Sequence, residues 1–336
     1  MRILVTGGAG FIGSNFVRHA LAGAYEGFED PQIVVLDKLT YAGTMDSLAS
    51  VIHDPRLEFV HGDICDEDLV DRVMKDVALV LHFAAETHVD RSINSGVDFV
   101  RTNVVGTQTL LESARRGGVG KFVLVSTDEV YGSIERGSWV EDHPLEPNSP
   151  YSASKAAGDL LARAFSRTYG YPVSITRCSN NYGPFQFPEK VIPLFITNLL
   201  DGDTVPLYGD GLHVREWIHV DDHCRGIALV ARHGRPNEVY NIGSEVELTN
   251  RELTETLLEI AQADWSRVRH VNDRKGHDRR YSVDSTKITT ELGYRTQVDF
   301  MDGLRDTARW YAENRSWWEP LKKGDYPPVW EEASPV

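Results

Sequence analysis

Thr127, Asp128 and Glu129 stand in a row directly after the apolar run KFVLVS at 121–126. Burial penalises charge and adjacent carboxylates repel, so a hydroxyl and two acids close a core strand badly. The same group suits proton transfer. Removing water from a sugar takes an acid that protonates the departing hydroxyl and a base that takes hydrogen from the neighbouring carbon. Two carboxyl groups with separated pKa values can divide those tasks. Asp128 and Glu129 are the candidates, with Thr127 able to hydrogen-bond a sugar hydroxyl. The alternative is an acidic loop cap with solvated carboxylates.

Two further motifs carry chemistry. In YSASK, Tyr151 and Lys155 are spaced i, i+4 and share one face of a helix. A cation beside a phenol favours the phenolate, so the expectation is a Tyr151 base with its pKa lowered by Lys155, which could also bind a cofactor ribose. Taken alone, such a pair is an ordinary surface feature. The second motif is Gly7-x-x-Gly10-x-x-Gly13, between an apolar run and a helical pattern. Glycines there let the backbone turn tightly and approach a pyrophosphate at a helix N-terminus. Asp37 ends the next apolar run, where a carboxylate can hold both ribose hydroxyls of NAD and repel the extra phosphate of NADP. Lys38 beside it weakens the case against NADP.

These groups must be positioned by the elements that precede them. Runs at 2–6, 32–37, 57–62, 79–84, 121–126 and 173–178 are short, apolar and rich in β-branched residues, and read as buried parallel strands. Helical patterns near 13–23, 66–76, 97–117 and 151–169 alternate with them. The expected fold is α/β: a Rossmann-type doubly wound parallel sheet with a smaller mixed α/β C-terminal substrate lobe. Every one of the runs ends in polar or glycine-rich sequence: the glycine loop, Asp37, Asp63, AAETH, the acid triplet, Asn180-Asn181. Ligands of open parallel sheets bind outside the carboxyl ends of the strands, so the ends define one cleft. After residue 178 the pattern loosens into Pro-, Gly- and Asn-rich loops. The expected division is 1–178 for dinucleotide binding, rejoined by about 217–243, with 179–216 and 244–330 forming the substrate lobe. Thr249-x-x-Glu252 signals the start of a helix.

Composition narrows the classes. The chain has 336 residues, 41% hydrophobic, with a net charge of −15, which argues against the basic surface of a nucleic-acid binder. Its longest apolar stretches are too short to span a bilayer. The start reads as a strand rather than a secretion signal, and three widely spaced cysteines suit a reducing cytosol, so the expected location is cytoplasmic. HVDDHC at 219–224 has metal-like spacing but no second ligand cluster, and Asp221 or Asp222 as a helix N-cap is the preferred reading; no metal is expected. His82 reads as a core or cofactor-lining residue, and Trp317 and Trp318 as tail or lobe packing. The helices at 97–117 and 151–169 are apolar around more of their circumference than one sheet face covers.

Together TGGAGFIG, HFAAETHVDRS, STDEVYG, YSASK, RCSNNYGPFQFPEKVIPL, GDGLHVREWIHVDDHCRGI, ELTNRELT and DRKGHDRRYSVD resemble the dTDP-glucose 4,6-dehydratase family of the extended short-chain dehydrogenase/reductase superfamily. The similarity runs to about residue 315. The glycine loop and Tyr-x-x-x-Lys mark only the superfamily; the triplet and the Asn-Asn-Tyr-Gly to Pro-Glu-Lys stretch are more specific. The resemblance implies a tightly held NAD, reduced and reoxidised within one turnover. Tyr151 then takes the 4-hydroxyl proton, Glu129 the carbon-5 hydrogen, and Asp128 protonates the 6-hydroxyl. The implied product is dTDP-4-keto-6-deoxyglucose.

For the cofactor, the resemblance implies Gly7, Gly10, Phe11, Ile12 and Gly13, then Asp37, Lys38, Leu39 and Thr40. It adds Asp63, Ile64, Phe83, Ala84 and Ala85, together with Thr102, Tyr151, Lys155 and Asn181. For the sugar it implies Thr87, Thr127 and Asn180. For the nucleotide diphosphate it implies Glu189, Lys190, Val191, Arg215, Asn250, Arg274, Lys275, His277 and Tyr281, with Pro206, Leu207 and Tyr208 against the base. Arg forks and Lys point charges match a diphosphate. Thr87 stands where the family often has Ser, and Lys275 where Pro is frequent. The superfamily also implies a homodimer through a four-helix bundle of the 97–117 and 151–169 helices. Rival functions are 4-epimerisation or decarboxylation of a UDP sugar, which need Tyr151 and NAD but no acid pair, and a non-catalytic NAD-binding regulator.

Overall fold

A computed structural model describes residues 1–322. The expected lobe boundary at 330 lies outside the described residues. The strands are β1 Arg2–Thr6, β2 Gln32–Asp37, β3 Leu57–His61, β4 Leu79–His82, β5 Lys121–Thr127, β6 Val173–Cys178, β7 Asn180–Tyr182, β8 Val205–Tyr208, β9 Val214–His219, β10 Val239–Ile242, β11 Glu247–Thr249 and β12 Val268–Val271. The helices are α1 Phe11–Leu21, α2 Glu67–Val73, α3 Val89–Asn94, α4 Val97–Val100, α5 Thr107–Arg116, α6 Pro150–Tyr169, α7 Val191–Asp201, α8 Val220–His233, α9 Asn250–Ile260, α10 Thr286–Leu292, α11 Phe300–Glu313 and α12 Arg315–Lys322.

Seven parallel strands form the main sheet in the order β10-β6-β5-β4-β1-β2-β3. Alternation sends Ile3 and Val5 of β1 to one face, where they pack with Phe16 and Val17 of α1 and Ile227 and Val230 of α8. Leu4 faces the other way, with Val70 of α2, Leu110 of α5 and Ala162 of α6. Helices therefore cover both faces, which is why these strands are nearly continuous apolar runs. All six residues of β6 are buried.

A separate hydrophobic cluster joins α7, α9, α11 and α12 around Phe195, Leu257, Tyr311 and Trp318. Trp318 is fully buried and its indole Nε1 donates to the Tyr311 carbonyl at 2.7 Å. Of the two expectations for that residue, packing is what the fold shows. Two small sheets, β11-β9-β7 and β12-β8, contribute Tyr182, Trp217 and Val205 to this cluster. β9 covers 214–219 and belongs to a small sheet; the chain returns to the large one through α8 and β10.

Local details departed from expectation at two places. The helix expected over 97–117 is helical from Val97 to Arg116 but widens to a π turn at Arg101–Gly106. The N-cap of α8 is His219, whose ring accepts from the Asp221 amide at 3.2 Å, and not Asp221 or Asp222. Asp222 instead accepts the amides of Gln297 and Val298, and Asp221 accepts from Asn15 of α1. Their long-range partners outcompete the local cap. The capping box at Thr249 and Glu252 is present as expected.

Candidate active site

The ends of β1, β2, β4, β5 and β6 open into one cleft of about 310 Å³. Gly7 has φ +70 there, and its amide donates to the Leu36 carbonyl of β2 at 2.9 Å. A Cβ on Gly7 would sit 2.5 Å from the Ala84 amide nitrogen, and one on Gly13 would sit 2.3 Å from the Gly7 carbonyl. Those two glycines are required by the fold itself. Gly10 differs: a Cβ would meet only the Gly7 carbonyl, at 3.3 Å, and its open side is the cleft. No side chain caps the N-terminus of α1. A bare helix N-terminus behind a turn that leaves its cleft side empty fits a pyrophosphate.

Asp37 is buried at the end of β2 and accepts the amides of Ala9 at 2.9 Å and Leu39 at 2.8 Å. Burial pushes its carboxyl up, and the two amides oppose the push. Lys38 turns to Asp63 at 2.9 Å, so the cation that blurred the sequence argument is already paired. Phe11, Ile12, Thr40 and Ile64 line the same cleft, as do Phe83, Ala84, Ala85 and Thr102. Leu39 does not line it; its side chain packs against the main core, and its φ is +52.

Thr127, Asp128, Glu129, Tyr151 and Lys155 all face this cleft. Asp128 and Glu129 begin a 3-10 turn, Asp128–Tyr131, whose N-cap is Thr127. The Thr127 hydroxyl donates to Asp128 Oδ1 at 3.1 Å, while Asp128 Oδ2 is buried with no partner among the described residues. Asp128 is pushed well above the usual carboxylate range, first by burial and then by Glu129. Burial raises Glu129 as well, but Lys190, Arg215 and Arg274 oppose the rise. The two neighbouring acids therefore differ in the sense the chemistry needs: burial and Glu129 favour the protonated form of Asp128, and Glu129 has cations that favour ionisation.

Tyr151 corrects the expectation of a lowered phenol. Its pKa is raised well above the ordinary value, first by burial and then by Glu129. Lys155, whose amine donates to the Val125 carbonyl at 2.9 Å, is not among the groups that act most on the phenol. Burial lowers the pKa of Lys155 itself, against the attraction of Asp159 one turn along α6.

A second cavity of about 240 Å³ adjoins the first, and Glu129, Asn180, Glu189, Lys190 and Val191 line both. Lys190 donates to the Thr87 carbonyl at 3.0 Å. Arg215 lies over the Tyr281 ring at 4.3 Å, and Arg274 over the Tyr208 ring at 4.8 Å. Asn250, His277 and Pro206 also line this cavity. Two of the residues named for it do not. Leu207 is buried on the far side of β8, since strand alternation points Pro206 and Tyr208 into the cavity and Leu207 away. Lys275 is exposed, next to the cavity-lining Arg274. Thr87 and Asn181 face the cofactor cleft, and Asn181 Oδ1 accepts from Nδ1 of the buried His223 ring at 2.9 Å.

The sequence did not single out Arg91, whose guanidinium donates to Glu189 at 2.8 Å and covers the Tyr41 ring at 4.1 Å. Ser149, Trp217 and Asp278 also line the second cavity. His213, Asp273 and His277 bring their donor atoms within 4.8 Å of one another. The two rings stack at 3.8 Å, and His277 is already 2.6 Å from Asp273. Stacked rings point their nitrogens in parallel, which is a poor arrangement for sharing one ion. Burial, and then Arg274, lower the His277 pKa to about 3.

A family model described as GDP-mannose 4,6 dehydratase matches residues 4–307. A dTDP-glucose 4,6-dehydratase of Streptomyces antibioticus is 63% identical over 324 residues, 96% of each chain. The crystal structure of a dTDP-glucose 4,6-dehydratase from Streptomyces venezuelae, solved with NAD bound, is 66% identical with a TM-score of 0.95, covering 96% of this chain and 100% of that one. A UDP-glucose 4-epimerase of Thermotoga maritima is more distant, at 32% identity and a TM-score of 0.85, over 94% of this chain and 100% of that one. The paired carboxyls beside a tyrosine and a dinucleotide cleft agree with these comparisons, and the chain belongs to the dTDP-glucose 4,6-dehydratase family.

Proposed function

We propose that this chain, an NAD-dependent dTDP-glucose 4,6-dehydratase, divides its reaction among Thr127, Asp128, Glu129, Tyr151 and Lys155. The observation that carries the assignment is the buried acid pair with unequal environments. Bound NAD would supply the acceptor for hydride from carbon 4 of the sugar and its donor to carbon 6. The glycine loop and the N-terminus of α1 would hold its pyrophosphate, and Asp37 its adenosine ribose.

Tyr151 takes the 4-hydroxyl proton as carbon 4 becomes a ketone; the positive nicotinamide ring of bound NAD would favour the phenolate this requires over the buried phenol, and Lys155 would hold the cofactor ribose. Thr127 orients that hydroxyl. The ketone acidifies the carbon-5 hydrogen, which Glu129 removes. Asp128 gives its proton to the 6-hydroxyl, and water leaves. Carbon 5 regains a proton from Glu129, which has exchanged it with solvent, as carbon 6 is reduced, and the proton left on Tyr151 balances the one Asp128 gave up. Lys190, Arg215, Arg274 and His277 hold the nucleotide diphosphate, with Thr87 and Asn180 at the sugar and Pro206 and Tyr208 at the base. The product is dTDP-4-keto-6-deoxyglucose.

The test is incubation of the purified protein with dTDP-glucose in deuterated water without added NAD. A product lighter by one water and labelled at carbon 5 is expected. Epimerised sugar, or no turnover, would refute the assignment. Three broader readings go with it. Residues 1–178, rejoined by α8 and β10 at 220–242, form the cofactor lobe, and 179–219 with 243–322 the substrate lobe. The chain pairs as a homodimer: Val97, Val100, Val105 and Leu160 are 50–76% exposed on the helices α4 to α6. Three free cysteines suit a reducing cytoplasm, and no helix among the described residues is long and apolar enough to cross a membrane.

A further inference from the structure

Behind the active site lies a charged group that touches neither cavity. Arg177 is fully buried on β6, opposite Ser126 of β5 and Asn241 of β10. Its Nε donates to Asp159 Oδ2 at 2.8 Å, and its terminal nitrogen donates to the Tyr131 hydroxyl at 2.7 Å. The Tyr131 hydroxyl in turn donates to Asn241 Oδ1 at 2.9 Å, and Asn241 Nδ2 donates to the Trp139 carbonyl at 2.8 Å. The Tyr131 ring stacks on Trp139 at 5.8 Å, with the Arg177 guanidinium 4.6 Å from its centroid.

The two partners of Arg177 sit on the two elements that carry the chemistry. Tyr131 ends the 3-10 turn that begins with Asp128 and Glu129. Asp159 lies on α6, one turn beyond Lys155 and two beyond Tyr151. One guanidinium thus ties the acid pair to the tyrosine–lysine pair from the side away from the ligands. A buried Arg–Asp pair is a weak source of stability, because desolvating both charges offsets much of their attraction. A planar fork with bonds to two separate elements is, by contrast, a good ruler. Arg177 itself carries a second unsatisfied cost, a terminal nitrogen with no partner among the described residues.

We infer that Arg177, acting through Tyr131, is a positioning residue that sets the acid pair against the tyrosine–lysine pair for elimination. The inference rests on the proposed division of labour, in which Tyr151 starts the oxidation at carbon 4 and Asp128 and Glu129 remove water. Cutting the link at Tyr131 should loosen the acids and leave Tyr151 on its helix. Small displacements of reacting groups cost on the order of tenfold to a hundredfold in rate.

The experiment compares wild type, Tyr131→Phe and Arg177→Lys. Steady-state kinetics, absorbance of reduced nicotinamide at 340 nm and dTDP binding by calorimetry are measured on each. Tyr131→Phe keeps the ring on Trp139 and removes only the bridging hydroxyl. Its kcat should fall about tenfold to a hundredfold, with KM and dTDP affinity within twofold of wild type. Reduced nicotinamide should accumulate during turnover, because oxidation outruns elimination. Arg177→Lys keeps the charge beside Asp159 and should give the same accumulation; should it fail to fold, Tyr131→Phe decides alone. Wild-type kcat in Tyr131→Phe, loss of kcat without accumulation, or a parallel loss of dTDP affinity would overturn the inference. The wild-type arm separates the two levels: if it fails to release water from dTDP-glucose, the assigned function falls, whatever the variants do.

Discussion

Asp128→Asn tests the acid assignment most directly. Asparagine matches the size of the side chain and keeps the oxygen that accepts from Thr127 at 3.1 Å. It lacks only the transferable proton. Positioned general acids contribute about 10²- to 10⁴-fold, equivalent to roughly 3–5.5 kcal/mol of barrier at 1.36 kcal/mol per tenfold. The loss should fall on kcat, since Asp128 faces the cofactor cleft and does not line the cavity that holds the diphosphate cations. Stability should move the other way. The Asp128 pKa is raised in the folded protein, so its contribution to stability is intact below its ordinary value of 3.8 and is lost as pH climbs toward the folded value. The amide carries no such penalty. The variant should therefore melt at or above the wild-type temperature at neutral pH, and the advantage should vanish near pH 4. The assay is mass-resolved product formation from dTDP-glucose alongside a thermal melt at several pH values. Turnover within threefold of wild type would refute the acid role. Ordinary turnover loss accompanied by a lower melting temperature at neutral pH would refute the claim that Asp128 is held protonated.

Other perturbations follow from the same geometry. Lys190→Met removes the first of the cations that favour ionised Glu129, so the acid limb of the kcat profile should move to higher pH, seen in a pH–rate series; an unmoved limb would argue against Glu129 as base. Gly7→Ala puts a Cβ 2.5 Å from the Ala84 main chain at φ +70, and should cost on the order of 2–4 kcal/mol of stability together with the retained NAD, measured by chemical denaturation and by cofactor released on denaturation. Leu160→Asp, at a position 55% exposed on α6, should shift the sedimentation coefficient toward the monomer if that face joins two copies, and leave it unchanged if it does not.

Much of the cleft was legible in the sequence because parallel sheets gather their strand ends. The glycine loop, Asp37 and the acid triplet each close a run of buried residues, and the sheet order brings them to one edge, where Tyr151 joins them from the first turn of α6. What the sequence concealed was mainly the direction of side chains and the choice among long-range partners. Leu207 lies between two cavity residues but points into the core. Asp222 looks like a helix cap and is instead claimed by amides some 75 residues away. Lys155 sits at the right spacing to assist Tyr151, yet its amine reaches the end of β5. β7, β9 and β11 are short and pair across long sequence separations, so no local periodicity announces them.

The order of strands also bears on how the chain is made. β6 is buried along its whole length, yet one of its edges is covered only by β10, a segment that leaves the ribosome some 60 residues later. Until residues 239–242 arrive, a nascent chain bears a bare apolar edge of the kind that recruits other strands. Fragments that stop near residue 178 should therefore aggregate rather than yield a working cofactor half, and nascent-chain chaperones should dwell on this sequence until its tenth strand has emerged.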